Sequence, residues 1–573
     1  MKMIWRFIKP VKNAMFLGLL IKAVGSLLEL LLPYILELIL DDVVPTRSVQ
    51  LILFWSVMMI LCALGCWIFN ITANRLASGV ARDATREIRH ELFDRSLYLS
   101  CSKTDAFTIP SLESRLTSDT YNVHRFLGMA QRMGIRAPII VLGGFAITIF
   151  MDPVLSLVLL GTLPFISVLV YIRAVKGIPL YTSVQKKADR MVSVVRENAQ
   201  GIRVIKALSR VGYEKERFSK VNQDIRDAEI HAQKVMAVVS PGMNLILYLG
   251  WTGVLLLGAH RVSLGLSKPG VIIAFMSYFT IISRSLMAIS RMFIMASRGL
   301  ASANRIDEVL NTETEKSWQP GNFPPSDPAY VIEFKDVTFS YLKVRDNLQH
   351  ISFKLKKGET LGVLGATGSG KTTLLSLLLH FYELDSGAIY LNGEDIRNIP
   401  PQELRSRFGI VMQNDFLFSR SIAENVRFGR EVSEETLKKA LENAQASEFV
   451  EGLDEGTEYL LTSNATNLSG GQRQRVLLTR AFASDPEILL LDDSSSALDY
   501  ATDARLRKAL AEHYDDTTMI IIAQRVSSVR GCDNILLLED GRIASSGTDE
   551  ELLKSSELYA SICASQMGGA LFD

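Results

Sequence analysis

The stretch Gly365-Ala-Thr-Gly-Ser-Gly-Lys-Thr372 decides how this chain of 573 residues is read. It has the spacing G-x-x-x-x-G-K-T. An apolar run, Leu361 to Leu364, precedes it and a helical run, Thr373 to His380, follows. That is the strand–loop–helix setting a phosphate-binding loop requires. Gly365, Ala366, Thr367, Gly368, Ser369 and Gly370 let backbone N–H groups crowd round the phosphates of a nucleotide, beside Thr373. Lys371 adds a point charge, and Thr372 offers its hydroxyl to Mg²⁺.

Working outward, further motifs fall on a strand-and-helix pattern that begins near residue 331. This alternation predicts an α/β domain. Tyr341 follows the strand-like run Val331–Phe339, where an aromatic ring can stack on adenine. Gln413 follows an apolar strand and is placed to touch Mg²⁺ and water. Leu468-Ser469-Gly470-Gly471-Gln472 is a second glycine turn, ahead of a helical run from Arg473 to Ala483. Helix N-termini bind phosphate, so this turn can cap a nucleotide, though not the one held by Lys371 if it faces away. Ile488 to Leu491 is apolar and ends in Asp492-Asp493. Asp492 suits Mg²⁺, and the next position should carry the base that polarises attacking water. Ser496-Ala-Leu-Asp499 follows, then an apolar strand, Met519 to Ile522, ending Ala523-Gln524-Arg525.

The first half differs in composition. The whole chain is 48% hydrophobic with a mean hydropathy of +0.19, high for a wholly soluble protein. Six apolar stretches, at about 14–40, 51–73, 127–151, 153–173, 237–260 and 269–293, each approach the ~20 residues that span a bilayer. Basic residues before the first stretch and after the second and fourth place both termini in the cytoplasm by the positive-inside rule. Segments 74–126 and 174–236 keep a helical pattern and continue the spans; breaks at Cys101–Pro110 and Ser209–Tyr213 are expected to hold short transverse helices. Lys22, Glu29, Glu37, Arg132 and Arg136 fall within spans, and Arg284, Arg291 and Arg298 form one stripe. The stripe either meets anionic groups of a ligand in a wet cavity or snorkels and pairs with neighbouring helices. Met243, Tyr248, Trp251, Met276, Tyr278, Phe279, Met287 and Phe293 make an adaptable apolar surface that serves ligand binding or helix packing.

The expected domains are a membrane domain over 1–310, a proline-rich linker over 311–330, a nucleotide domain over 331–567 and a tail over 568–573. Five sparse cysteines make no zinc pattern, and a net charge of +1 gives no bulk-charge signal for a nucleic-acid partner, so none is expected.

These motifs in this order resemble the ATP-binding-cassette (ABC) exporter family over nearly the whole length. The resemblance identifies Tyr341 as the A-loop, Gly365–Thr372 as Walker A, Gln413 as the Q-loop, Leu468–Gln472 as the signature, Ile488–Asp492 as Walker B and Ser496–Asp499 as the D-loop. Glu197–Ala207 looks like the family's intracellular segment before its second coupling helix. The resemblance implies ATP and Mg²⁺ as cofactors and a dimer of two such chains in the cell membrane. Each nucleotide then meets the Walker motifs of one chain and, on the other, Ser469, Gly470, Gly471, Gln472 and Asp499. The implied activity is export of a small hydrophobic or amphipathic substrate, as in multidrug-type exporters. A non-transporting ATP sensor and an exporter-fold importer are the alternatives.

Two positions depart from the family. Asp493 stands where the family has the catalytic glutamate, which draws the carboxylate back by about one C–C bond, ~1.5 Å. Gln524 stands where the family has the switch histidine; it donates a hydrogen bond but carries no proton charge. The stretch Ser463–Asn467 also lacks the family's acidic residue. Together these resemble the degenerate-site subunit of a heterodimeric exporter, whose partner is a second half-transporter with Glu and His in place.

Overall fold

A computed structural model describes residues 2–315 and 318–567. The expected tail, 568–573, lies outside them, as does part of the expected linker. The chain divides into two compact units: Met1–Leu97 with Phe107–Thr312, and Tyr98–Ala106 with Glu313–Asp573.

The first unit is all helix. Its main elements are α1 (Lys12–Leu38), α2 (Val49–Leu97), α3 (Thr120–Met133), α4 (Arg136–Met151), α5 (Pro153–Ile172), α6 (Ile178–Gln200), α7 (Val211–Ala237), α8 (Val239–Ser263) and α9 (Pro269–Leu310). Among the described residues five helical runs are long and apolar enough to cross a membrane: Met3–Thr46, Val49–Leu97, Ile109–Met151, Val211–Ser263 and Pro269–Leu310. A shorter apolar helix, Pro153–Leu169, matches the expected fourth span. The 49-residue α2 and the 42-residue α9 outrun a bilayer of ~30 Å at ~1.5 Å per residue, as the charged continuations of their spans predict.

A core of Leu30, Ile140, Leu159, Ala274, Tyr278, Phe279 and Ile282 knits α1, α4, α5 and α9 together. Tyr278 and Phe279, read from sequence as ligand-binding or packing residues, are packing residues, and the Tyr278 hydroxyl donates to the Leu30 carbonyl at 2.7 Å. Gly250 allows this packing, since a Cβ there would lie 2.3 Å from the Phe279 ring. Four of the five charges expected within spans are partnered: Lys22 donates to Asn70 and Asn74 (2.7 and 3.1 Å), Arg132 to Ser78 (2.8 Å), and Arg136 pairs with Glu29 at 2.7 Å. Unpaired charge in hydrocarbon is costly, so such partners stabilise the bundle.

The first expected break holds the short helix Cys101–Phe107. The second is displaced: its short helix is Ile202–Ala207, ahead of the predicted Ser209–Tyr213. Ser209 takes a left-handed backbone (φ 52°) and ends that helix. Gly212 lies inside the first turn of α7, where the missing side chain does not interrupt it.

In the second unit, strands β1 (Ile332–Phe339), β2 (Leu348–Leu355), β4 (Ser386–Leu391) and β5 (Glu394–Asp395) form an antiparallel sheet in the order β2-β1-β4-β5. A second sheet runs β10-β9-β3-β8-β7-β6, from β3 (Thr360–Gly365), β6 (Phe408–Val411), β7 (Ile488–Asp492), β8 (Thr518–Ala523), β9 (Asn534–Glu539) and β10 (Arg542–Gly547). All its pairings are parallel except β10 with β9. The continuous apolar runs in β3 and β7 suit central strands covered on both faces. The helices that matter for function are α10 (Lys371–Leu378), α11 (Gly470–Phe482), α12 (Tyr500–His513) and α13 (Glu557–Met567).

Candidate nucleotide site

Register places the chemistry. Neighbouring parallel strands pair Leu364 with Ala523 and Asp492 with Ile522. The C-terminal ends of β3, β8 and β7 therefore deliver the glycine loop, Gln524 and the two aspartates to one edge, where ligands bind in open α/β sheets. A cavity of about 190 Å³ lies there, lined by Thr367, Gly368, Gly370, Lys371, Thr372, Thr373, Gln413, Asp492, Asp493 and Gln524.

The loop is shaped for an anion. Gly368 and Gly370 have φ of 86° and 101°, and a Cβ on Gly370 would sit 2.6 Å from Leu348 Cδ2. Lys371 Nζ donates to the loop's own carbonyls, Gly365 O and Ala366 O, both at 2.8 Å. The Ser369 hydroxyl is buried and has no hydrogen-bond partner among the described residues. A buried hydroxyl of this kind within a glycine-rich loop at a helix N-terminus fits phosphate oxygens. Burial holds the Lys371 ammonium below its ordinary range, against the pull of Asp492 and Asp493.

Thr372 Oγ1 donates to Asp492 Oδ2 at 2.8 Å. Burial raises the Asp492 carboxyl above its ordinary value of 3.8, although hydrogen bonds from Thr372 and from the Gln413 backbone and the nearby Lys371 oppose the shift. Among the described residues no group of three His, Cys, Asp or Glu side chains can hold a metal alone. A lone carboxylate with a hydroxyl fits a Mg²⁺ that keeps phosphate and water ligands.

Tyr341 stands at the edge of this site. Its hydroxyl donates to Thr373 Oγ1 at 3.4 Å, and its ring meets Phe339 and Tyr382 edge to face. The Tyr382 hydroxyl donates to Asp105 Oδ2 at 2.6 Å, and burial raises its pKa. Asn347, absent from the sequence reading, also lines the cavity and accepts a bond from the Tyr341 N–H at 3.1 Å. It lies in an unpatterned turn that gave no signal.

Asp493 has a left-handed backbone, φ 51°, with its N–H bonded to Ile522 O at 2.9 Å and its carbonyl accepting from the Ser496 hydroxyl at 2.9 Å. Ser469, Gly470, Gly471, Gln472 and Asp499 do not line the cavity. Ser469 caps α11, which begins at Gly470 rather than at the expected Arg473, in a reciprocal capping box with Gln472. A Cβ on Gly471 would lie 3.1 Å from Ala497 O, so the signature turn packs against the Ser496–Asp499 loop. Asp499 caps α12 by accepting from the Thr502 N–H and hydroxyl, and these bonds lower its pKa.

In the membrane unit, a cavity of about 680 Å³ opens between α8 and α9, with Met243, Met287, Arg284 and Arg291 in its wall. Arg298 does not line it.

Comparison with known proteins agrees with this geometry. Residues 15–286 match the ABC transporter transmembrane region, and residues 348–496 match the ABC transporter family of ATP-binding domains. The chain is 34% identical over 568 residues to the uncharacterized ABC transporter ATP-binding protein YfiB of Bacillus subtilis (strain 168), covering 98% of each. It is 31% identical over 488 residues to a protein of Mycobacterium bovis named fatty acid ABC transporter ATP-binding/permease protein, covering 85% of this chain and 77% of that one. A bacterial Atm1-family ABC exporter solved with ATP bound shares its fold, with a TM-score of 0.81 at 23% identity over 98% of this chain and 99% of that one. The chain therefore belongs to the ABC transporter family, as an ATP-binding half-transporter whose membrane-spanning unit precedes its cassette in the exporter fold.

Proposed function

We propose that this chain drives export of a hydrophobic or amphipathic substrate as one half of a heterodimer, in which its own Walker site holds Mg²⁺-ATP and hydrolyses it weakly. Lys371 and the loop N–H groups grip the phosphates. Thr372, Asp492 and Gln413 hold Mg²⁺, which supplies charge neutralisation at the phosphates. Tyr341 flanks the adenine. The signature turn, Ser469 to Gln472, with Asp499, faces away from this site and serves the partner's nucleotide. Basic flanks put the cassette and both termini in the cytoplasm of the cell membrane. The name borne by the Mycobacterium bovis relative supports an apolar or amphipathic cargo.

The observation that carries the reading is a complete phosphate cradle facing a shortened base. Thr367, Gly368, Gly370, Lys371, Thr372, Gln413 and Asp492 line one cavity with Asp493 and Gln524, and the family resemblance implies a longer carboxylate and a titratable ring at the last two positions. Loss of a general base costs about 10²–10⁴-fold.

The test is ATP turnover by the purified full chain without any second ABC chain, alone and as Asp493→Glu. A slow basal rate that rises at least about tenfold in the variant is expected. Turnover of about 1 s⁻¹ or more by the unmodified chain assembled only with itself defeats the proposal.

A further inference from the structure

The cavity between α8 and α9 has a chemistry that the rest of the membrane unit does not share. On α8 it is lined at positions 239, 240, 243, 244 and 247, one helical face. On α9 it is lined by Thr280, Ser283, Arg284, Met287 and Arg291. Four other cations of the membrane unit have partners within it: Lys22 on two asparagines, Arg132 on Ser78, Arg136 on Glu29, Arg261 on Asp152 at 3.0 Å. Arg284 and Arg291 have none among the described residues, and the cavity wall contains no acidic side chain. They stand seven residues apart, about 10 Å along one stripe of α9. Met243, Leu247 and Met287 supply the apolar remainder. Arginine is the weakly hydrated, bidentate donor suited to carboxylate and phosphate, and methionine adapts to irregular chains.

We propose that this cavity selects an amphipath with an anionic head, a carboxylate or a phosphate, gripped by Arg284 and Arg291 with its apolar chain against Met243, Leu247 and Met287. The proposal rests on the transport reading, which it narrows from amphipaths in general to anionic ones. Two guanidinium groups on one stripe of α9, in a wall without an acidic side chain, repel a cationic head and gain nothing from the charge of a neutral one. Selection by charge sign follows, with both arginines acting as specificity determinants.

Equilibrium binding of four radiolabelled probes to the nucleotide-free full chain in zwitterionic lipid nanodiscs tests this. The probes are hexadecanoate, dihexadecyl phosphate, hexadecanol and hexadecyltrimethylammonium. At least one anion should bind about tenfold or more tighter than the alcohol and the ammonium; which anion does so separates a fatty-acid head from a phospholipid-like head. Arg284→Gln with Arg291→Gln should reduce the anions to the level of the alcohol, whose own affinity stays unchanged and reports intact folding. Arg284→Lys with Arg291→Lys should keep much of the preference. Equal binding of ammonium and anions, survival of the preference in the double glutamine variant, or no binding by any probe overturns the proposal. ATP-driven accumulation in vesicles, with a second half-transporter present, is scored separately. Charge-selective binding without accumulation defeats the transport reading and leaves the selectivity standing, whereas accumulation of a cation equal to that of the anions defeats the selectivity alone.

Discussion

Gln566 holds the backbone on both sides of Arg525, next to Gln524: its Nε2 donates to the Gln524 carbonyl at 2.8 Å, and its Oε1 accepts from the Val526 N–H at 2.8 Å. One amide at the end of α13 thus fixes the peptide that presents the Gln524 side chain to the nucleotide cavity. Forty-two residues separate Gln566 from Gln524, and no motif links them.

Gln566→Ala removes both bonds. Amide hydrogen exchange at Val526 should quicken by about fivefold, corresponding to roughly 1 kcal/mol of lost local protection. Exchange in β3 should be unchanged. An unaltered rate at Val526 shows that the loop is held by other contacts.

Asp492 ties cation binding to pH. Its carboxyl is raised by burial, so the folded cassette favours the protonated form. For a raised group, the stabilising contribution is complete below the unfolded value of 3.8 and is lost as pH rises through the folded value. At neutral pH the ionised carboxylate is therefore a burden that Mg²⁺ relieves. Asp492→Asn should leave the melting temperature of the nucleotide-free protein unchanged or higher, while abolishing the extra rise that Mg²⁺ adds to ATP. In the unmodified protein that rise should shrink as pH falls towards the raised carboxyl value. A Mg²⁺-dependent rise that persists in the asparagine variant contradicts this assignment.

Gly471 separates the two roles of the cassette. A methyl group there would press on Ala497 O and shift the turn by a few tenths of an ångström. Gly471→Ala should leave ATP affinity at this chain's own loop unchanged. Hydrolysis by the assembled transporter should fall steeply, towards the ~10²-fold that a displacement of about 1 Å can cause. Weakened ATP binding by the isolated chain would place the turn at its own nucleotide instead.

Ser469 anchors the same turn by capping α11. Ser469→Ala should lower cassette stability by about 1 kcal/mol, a typical cost for losing an N-cap, measured by urea unfolding. Ser469→Asn, another good cap, should recover most of it.

Much of this was legible from residue order. The G-x-x-x-x-G-K-T spacing, flanked by an apolar strand and a helical run, located β3, the loop and α10, because such a loop needs both neighbours. Apolar length located the spans. What stayed hidden depends on contacts between residues distant in the chain. Asn347 and Gln566 serve the site through backbone bonds, which any polar residue in a turn or at a helix end can make. Tyr278 and Phe279 carry the same hydrophobic signal whether they face a ligand or a core, and only packing against Leu30 and Gly250 tells which. The second transverse helix lies ahead of the expected break because the turn falls at Ser209, whose left-handed backbone no sequence rule marks.

The backbone at 493 has a last consequence. A left-handed conformation is tolerated by aspartate and asparagine more readily than by glutamate. Shortening the side chain at this corner therefore eases the main chain at the moment it withdraws the carboxylate. Asp493→Glu should therefore trade some folding stability for a longer carboxylate reach, as strained positions in working enzymes commonly do.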